Sequence, residues 1–186
     1  MDPAEVARQL ADALEAAQIP YALGGALAYA YWGVARGTHD VDLNLFIAPT
    51  RMAEALKVMT RVGLIIDVAA AIASAEVRGD ARGYVGSVPV DLFVNSIPFH
   101  EEAARRAIEV SLFDKPIRVL SAEDIAVLKL LFFRGKDMVD LERLLALRGK
   151  NLDRSYIRSW LVDAMGEDDE RVAAWDRLCA TFPLTA

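Results

Sequence analysis

Asp40 and Asp42 stand two residues apart in the stretch Gly37-Thr-His-Asp-Val-Asp-Leu-Asn-Leu-Phe-Ile47. Val41, Leu43 and Leu45 alternate there with Asp40, Asp42 and Asn44, which predicts a strand that is apolar on one face and polar on the other. Successive side chains point to opposite faces of a strand, so the two carboxylates project to the same side. Like charges in that arrangement repel, and aspartate is a poor strand former, so a purely structural strand gains nothing from the pattern. A divalent cation reverses the sign of the interaction. Hard cations such as Mg²⁺ take oxygen ligands, commonly one or two carboxylates together with substrate phosphates.

Three other places carry residues with chemical potential. Asp91 lies in the apolar run Val88-Pro-Val-Asp-Leu-Phe-Val94, where a lone charge costs several kcal/mol unless it is paired or bound to a metal. Its partner is either a cation in the site or a nearby arginine. Gly24-Gly25 precedes a short apolar segment that ends at Gly33, and predicts a strand, a turn and two turns of helix closed by a C-cap glycine. Glycines ahead of a helix let backbone N–H groups approach a phosphate. Lys129 is the one charge within Ile125–Phe133, so its ammonium either snorkels to the surface or meets an anion.

The elements that position these residues follow from periodicity. Val6, Leu10, Leu14 and Ala17 predict an amphipathic helix over residues 3–18, and Tyr21–Leu23 a first strand. Pro49-Thr50 stops the Asp-x-Asp strand and caps a helix carrying Met52, Leu56 and Met59. Leu64–Ala69 reads as a strand, the residues up to Glu76 fit strand or helix, and 78–83 reads as the tip of a hairpin returning through Tyr84–Val94. A polar helix is expected over 98–110, and Ile117–Leu120 as the last strand. From Ser121 the pattern is helical, with helices after Ser121, over 138–147, 153–165 and 168–181.

The segment Gly24-Gly25…Gly33-x-x-Arg36-x-Thr38-x-Asp40-x-Asp42 resembles the nucleotidyltransferase superfamily of the DNA polymerase β type, and most of all its branch of AbiEii-type toxins from bacterial type IV toxin–antitoxin systems. The similarity extends over about residues 20–145. It implies an α/β (α+β) fold, a mixed sheet flanked by helices, with a nucleotidyltransferase core over 1–120 and a C-terminal helical bundle over 121–186 packed on it. It further implies Mg²⁺ or Mn²⁺ held by Asp40, Asp42 and Asp91, and a nucleoside triphosphate held by Gly24, Gly25, Arg36 and Thr38. Lys129 would contact the nucleotide phosphates. The run Lys129…Arg134-x-Lys136-Asp137 looks like a family segment that brings Asp137 near the site, although the same residue also suits a plain helix N-cap. Gly25 departs from the family members that carry serine there, and 14 residues (26–39) separate it from Asp40.

The implied reaction moves a nucleoside monophosphate from an NTP to a hydroxyl. The acceptor expected from the resemblance is RNA, a tRNA 3′ end, with a cognate antitoxin protein as a further partner. The alternatives are an antibiotic or other small-molecule acceptor, or a catalytically silent nucleotide-binding protein. A formal charge of −6 over 186 residues argues against a surface that binds nucleic acid indiscriminately. Arg105 and Arg106, Arg134 and Lys136, Arg148 and Lys150, and Arg154 and Arg158 are the candidate pieces of a local basic patch. The single cysteine, Cys179, excludes an internal disulfide and a multi-cysteine zinc site. No apolar run reaches the roughly 18 residues of a membrane helix, and no basic, apolar leader begins the chain, so a cytoplasmic protein is expected.

Overall fold

A computed structural model describes residues 1–183. It divides into two compact units, Met1–Ala28 with Gly37–Leu120, and Tyr29–Arg36 with the chain from Ser121.

The first unit is a seven-stranded mixed sheet with helices against it. Helix α1 (Pro3–Ala16) starts where Asp2 accepts the Ala4 amide at 2.7 Å and Glu5 accepts the Asp2 amide at 3.1 Å. This reciprocal cap satisfies two otherwise orphaned donors. Val6, Leu10 and Leu14 are fully buried along one face. Strand β1 (Tyr21–Leu23), the short helix α2 (Gly25–Tyr29) and strand β2 (Val41–Leu45) follow, then a 3₁₀ turn at Pro49–Arg51 and helix α3 (Met52–Arg61).

The next stretch departs from the sequence reading. Strand β3 is only Leu64–Ile65, because Asp67 caps helix α4 (Val68–Arg78) by accepting the Ala70 amide at 3.0 Å. An aspartate cap followed by an alanine-rich run outweighs the weak strand signal. Residues 78–83 are not a hairpin tip. Gly79 closes α4 in the left-handed region (φ +79°), and Asp80 already begins strand β4 (Asp80–Val85). The hairpin turns instead at Gly86 (φ +60°) into β5 (Val88–Val94).

Helix α5 (Pro98–Arg106) is shorter than expected, and the polar residues after it form an edge strand, β6 (Ile108–Leu112). That strand buries almost nothing, so it leaves no alternation to read in the sequence. It turns through Phe113 and Asp114, both at positive φ, into β7 (Lys115–Val119). The sheet order is β3-β4-β5-β2-β1-β7-β6, with β2 parallel to β5, β1 parallel to β7, and the other pairs antiparallel. Val41, Leu43, Val90, Leu92 and Val119 form the buried centre.

The second unit is helical. Ser121 caps α6 (Ala122–Phe132) by accepting the Asp124 amide at 3.1 Å, and Asp124 is itself buried, accepting the hydroxyls of Ser121 and Tyr156 at 2.6 and 2.7 Å. Helices α7 (Gly135–Arg148), α8 (Arg154–Met165) and α9 (Glu170–Thr181) complete it, the last two capped by Asp153 and Asp169. Leu130, Leu141, Leu144, Ile157, Leu161 and Trp175 supply its core. Among the described residues no helix is long and apolar enough to cross a membrane.

One packing detail sets a pH limit. His100 in α5 is buried, and its Nδ1 accepts the Ser96 amide at 3.3 Å. Burial pushes its pKa down to about 4 from 6.5. The fold therefore holds the imidazole neutral; this contribution is complete above pH 6.5 and is lost as pH falls towards 4. We expect the loss to approach about 3 kcal/mol in urea melts. His100→Gln should flatten the melting profile over that window.

Candidate active site

Strand β2 has the two-faced character expected of it. Val41, Leu43 and Leu45 are fully buried, while Asp42 is half-buried on the opposite face. Asn44, on that same polar face, is also buried. Asp40 lies one residue before the strand and accepts a hydrogen bond from the Thr38 hydroxyl. That contact gives Thr38 a role in orienting Asp40 within the turn leading to the strand.

The parallel pairing of β2 with β5 sets Asp42 directly opposite Asp91. Residues opposite one another across a pair project to the same face, with strands about 4.8 Å apart. The structure thus juxtaposes two of the three predicted carboxylates. On the other side of Asp91, its register partner is Arg82 of β4. The Arg82 guanidinium donates from Nε to Asp91 Oδ1 at 2.5 Å and from Nη2 to Oδ2 at 2.7 Å. Both Asp91 oxygens are therefore engaged by a bidentate fork. These hydrogen bonds and the Asp91 charge raise the Arg82 pKa further above its ordinary value, with a smaller push from Asp40.

The two glycines abut this carboxylate face. Gly24 donates its amide to the Asp42 carbonyl at 2.9 Å, so it extends the sheet and its N–H is not directed at a phosphate as the resemblance implies. Gly25 has φ +53°, and a Cβ there would stand 1.7 Å from Asp42 Oδ2. Serine at this position would collide with the carboxylate, which accounts for glycine on this chain. Gly25→Ala is expected to cost about 2 kcal/mol from the left-handed backbone and the collision. By displacing Asp42 it should also lower nucleotide transfer by about a hundredfold; melting and turnover measured on one preparation check both effects. Helix α2 ends at Tyr29, a turn earlier than expected, where Trp32 and Gly33 both bond to the Tyr29 carbonyl. Gly33 is pressed against the Tyr29 ring, which a Cβ would approach to 2.2 Å.

The donor set suits a hard cation, since every candidate ligand is a carboxylate oxygen. Among the described residues, however, no three His, Cys, Asp or Glu side chains already converge as a ligand group. Asp91 would have to exchange Arg82 for a cation.

Arg36, Lys129 and Asp137 gather in the helical unit around a residue that the sequence reading missed, Asp140. Lys129 is buried, its Nζ 2.6 Å from Asp140 Oδ2, 3.4 Å from Asp137 Oδ1 and 5.0 Å above the Tyr29 ring. The ammonium neither snorkels nor lies open to a ligand; a phosphate would compete with Asp140 for it. Arg36 reaches the same Asp140 oxygen at 3.2 Å, and Tyr29 donates its hydroxyl to the Asp140 carbonyl at 2.8 Å. Asp137 is inside the first turn of α7 instead of at its N-cap, and accepts both the amide and the Nε of Arg134. Burial pushes the Asp137 carboxyl up, but the Arg134 hydrogen bond and the Lys129 and Arg134 charges outweigh it and hold it below the usual range. The available signal was Lys129 in an apolar helix combined with Asp137-x-x-Asp140 on one helix face, a spacing that presents two carboxylates to a single cation.

Several residues of the expected basic patch have partners within the chain, Arg105, Arg134 and Arg158 in ion pairs that leave the guanidinium partly exposed and Arg148 and Arg154 on backbone carbonyls. Arg105 pairs with Glu102 and Arg134 with Asp137, while Arg158 pairs with Glu167 and Asp176. Arg148 donates to the Trp32 carbonyl, and Arg154 to those of Gly149 and Cys179.

This arrangement of mixed sheet and helices is the nucleotidyltransferase fold. An antigenic nucleotidyltransferase-like protein from Paracoccidioides brasiliensis superposes with a TM-score of 0.57 at 16% identity, over 94% of this chain and 92% of that one. The antibiotic-resistance protein ANT(2″)-Ia, solved with adenylyl-2″-tobramycin, gives 0.53 at 14% identity over 97% and 98% of the two chains. The lincosamide antibiotic adenylyltransferase LnuA, solved with lincomycin, gives 0.53 at 14% identity over 77% of this chain and 96% of its own. No protein-family model and no curated protein sequence matches the chain.

Proposed function

We propose that the protein is a metal-dependent nucleotidyltransferase that moves a nucleoside monophosphate from an NTP to a hydroxyl acceptor. The observation that carries this is the juxtaposition of Asp42 and Asp91 on parallel strands, beside a Gly25 where a Cβ would stand 1.7 Å from Asp42 Oδ2, in a nucleotidyltransferase fold. Asp40, Asp42 and Asp91 would hold Mg²⁺ or Mn²⁺. Such ions, when bound, neutralise the developing charge on phosphoryl oxygens and lower the pKa of a bound hydroxyl. The chain's own part is positional. Thr38 orients Asp40, Gly24 fixes the Asp42 backbone, and Gly25, lacking a Cβ, lets the Asp42 carboxylate lie against the turn. Asp91, once released from Arg82, would take the acceptor's proton.

For the acceptor, the net charge of −6 favours a small cationic molecule. Two of the structural neighbours are antibiotic adenylyltransferases, in keeping with that choice. The second reading, transfer to RNA by a toxin countered by an antitoxin, is carried by the Gly24–Asp42 segment, which resembles the AbiEii branch. The test is incubation with Mg²⁺, each α-labelled NTP, total bacterial RNA and a panel of aminoglycosides and lincosamides. Label on the small molecules supports the first acceptor. Label on tRNA-sized RNA, with slowed growth on expression, establishes the second.

A further inference from the structure

We propose that Arg82 couples cation binding to nucleotide binding. It holds Asp91 until a divalent cation displaces it, and the freed guanidinium then takes a phosphate oxygen of the nucleotide. This rests on the nucleotidyltransferase reading, and adds to it a residue outside the Asp-x-Asp and Gly-Gly segments.

Four features carry the inference. Arg82, Asp91 and Asp42 form one cross-strand row over β4, β5 and β2, so the guanidinium lies on the same face as the carboxylates. It occupies both oxygens of the one carboxylate that the proposed ions need from β5, and its positive charge opposes a cation on the lone pairs that remain. The Arg82 side chain is 58% exposed whereas Asp91 is 16% exposed, so the arginine can swing away without crossing packed atoms. Its backbone cannot follow, because the flanking Ala81 and Gly83 are buried and a Cβ on Gly83 would already meet the Ile65 carbonyl at 2.9 Å. Only the long side chain moves, and its planar fork matches phosphate as well as carboxylate. A plain cross-strand ion pair would do only part of this. It would hold the two strands together and compete with a cation for Asp91, but would leave the effect of nucleotide on cation affinity indifferent to Arg82.

The test is Mn²⁺ titration of the full chain, following free Mn²⁺ by electron paramagnetic resonance, with and without α,β-methylene-ATP. Arg82→Met should bind Mn²⁺ alone about tenfold more tightly than the parent, since the competitor for Asp91 is gone. The gain in Mn²⁺ affinity that the analogue confers should fall by about tenfold, since the phosphate contact is also gone. Where methionine unsettles β4 by circular dichroism, Arg82→Lys keeps the charge but loses the fork and should give about a threefold tightening. Unchanged or weaker Mn²⁺ affinity in the folded variants, or an undiminished gain from the analogue, overturns the proposal and leaves Arg82 a strand-pairing residue. Asp91→Asn and Asp42→Asn separate the levels: loss of Mn²⁺ binding in both upholds the metal site, and full retention in both contradicts the nucleotidyltransferase reading itself.

Discussion

Asp42→Ala is expected to lower nucleotide transfer by about a thousandfold or more while leaving the protein folded. The catalytic loss follows from removing a proposed ligand of ions that supply several kcal/mol of charge stabilisation. The stability expectation follows from position. Asp42 is half-buried and stands opposite Asp91 across a parallel strand pair, where a like charge is unfavourable, while the flanking Val41 and Leu43 that anchor β2 are untouched. Turnover of labelled NTP and a melting curve on the same sample check both halves. A folded, fully active Asp42→Ala protein would remove Asp42 from the site.

The largest stability effect is expected elsewhere. Asp140→Ala should destabilise the protein by about 3–5 kcal/mol, because it leaves the Lys129 ammonium and the Arg36 guanidinium beside a vanished carboxylate in a buried setting. Asp137 is 3.4 Å from Lys129 and already committed to Arg134, so it compensates only in part. The double substitution Asp140→Leu with Lys129→Met should recover much of the loss, since an apolar pair of similar volume replaces a buried ion pair at little cost. Urea midpoints for Asp140→Leu, Lys129→Met and the double variant measure the coupling directly. A single variant within about 0.5 kcal/mol of the parent would show that the cluster is not a stabilising network.

These two sites differ in how far the sequence disclosed them. Strand β2 was legible because its own alternation encodes both burial and chemistry, and the cap at Ser121 is a local signal of the same kind. Strand β6 was not legible, because an exposed edge strand buries too little to set a period. The span 78–83 was misread because Gly79 was taken for a hairpin turn when it is a helix C-cap, and both uses need the same left-handed backbone. The reason for Gly25 required the distance to Asp42 across the turn, which the chain order does not contain. The sequence offers Asp91 a nearby arginine without naming Arg82, and does not disclose Asp140, for a related reason. The partner of Asp91 lies nine residues upstream, in register only once the hairpin turns at Gly86. Asp140 acquires meaning only when Arg36, 104 residues before it, reaches the same oxygen as Lys129.

The most direct test of the central claim needs no knowledge of the acceptor. Calorimetric titration of the purified protein with α,β-methylene-ATP and the corresponding guanosine, cytidine and uridine analogues, with Mg²⁺ and with EDTA, reads the proposed site by itself. The account predicts saturable binding of at least one analogue that requires Mg²⁺ and disappears in Asp42→Ala. Binding that survives both EDTA and Asp42→Ala, or no binding of any analogue by folded protein, would contradict it.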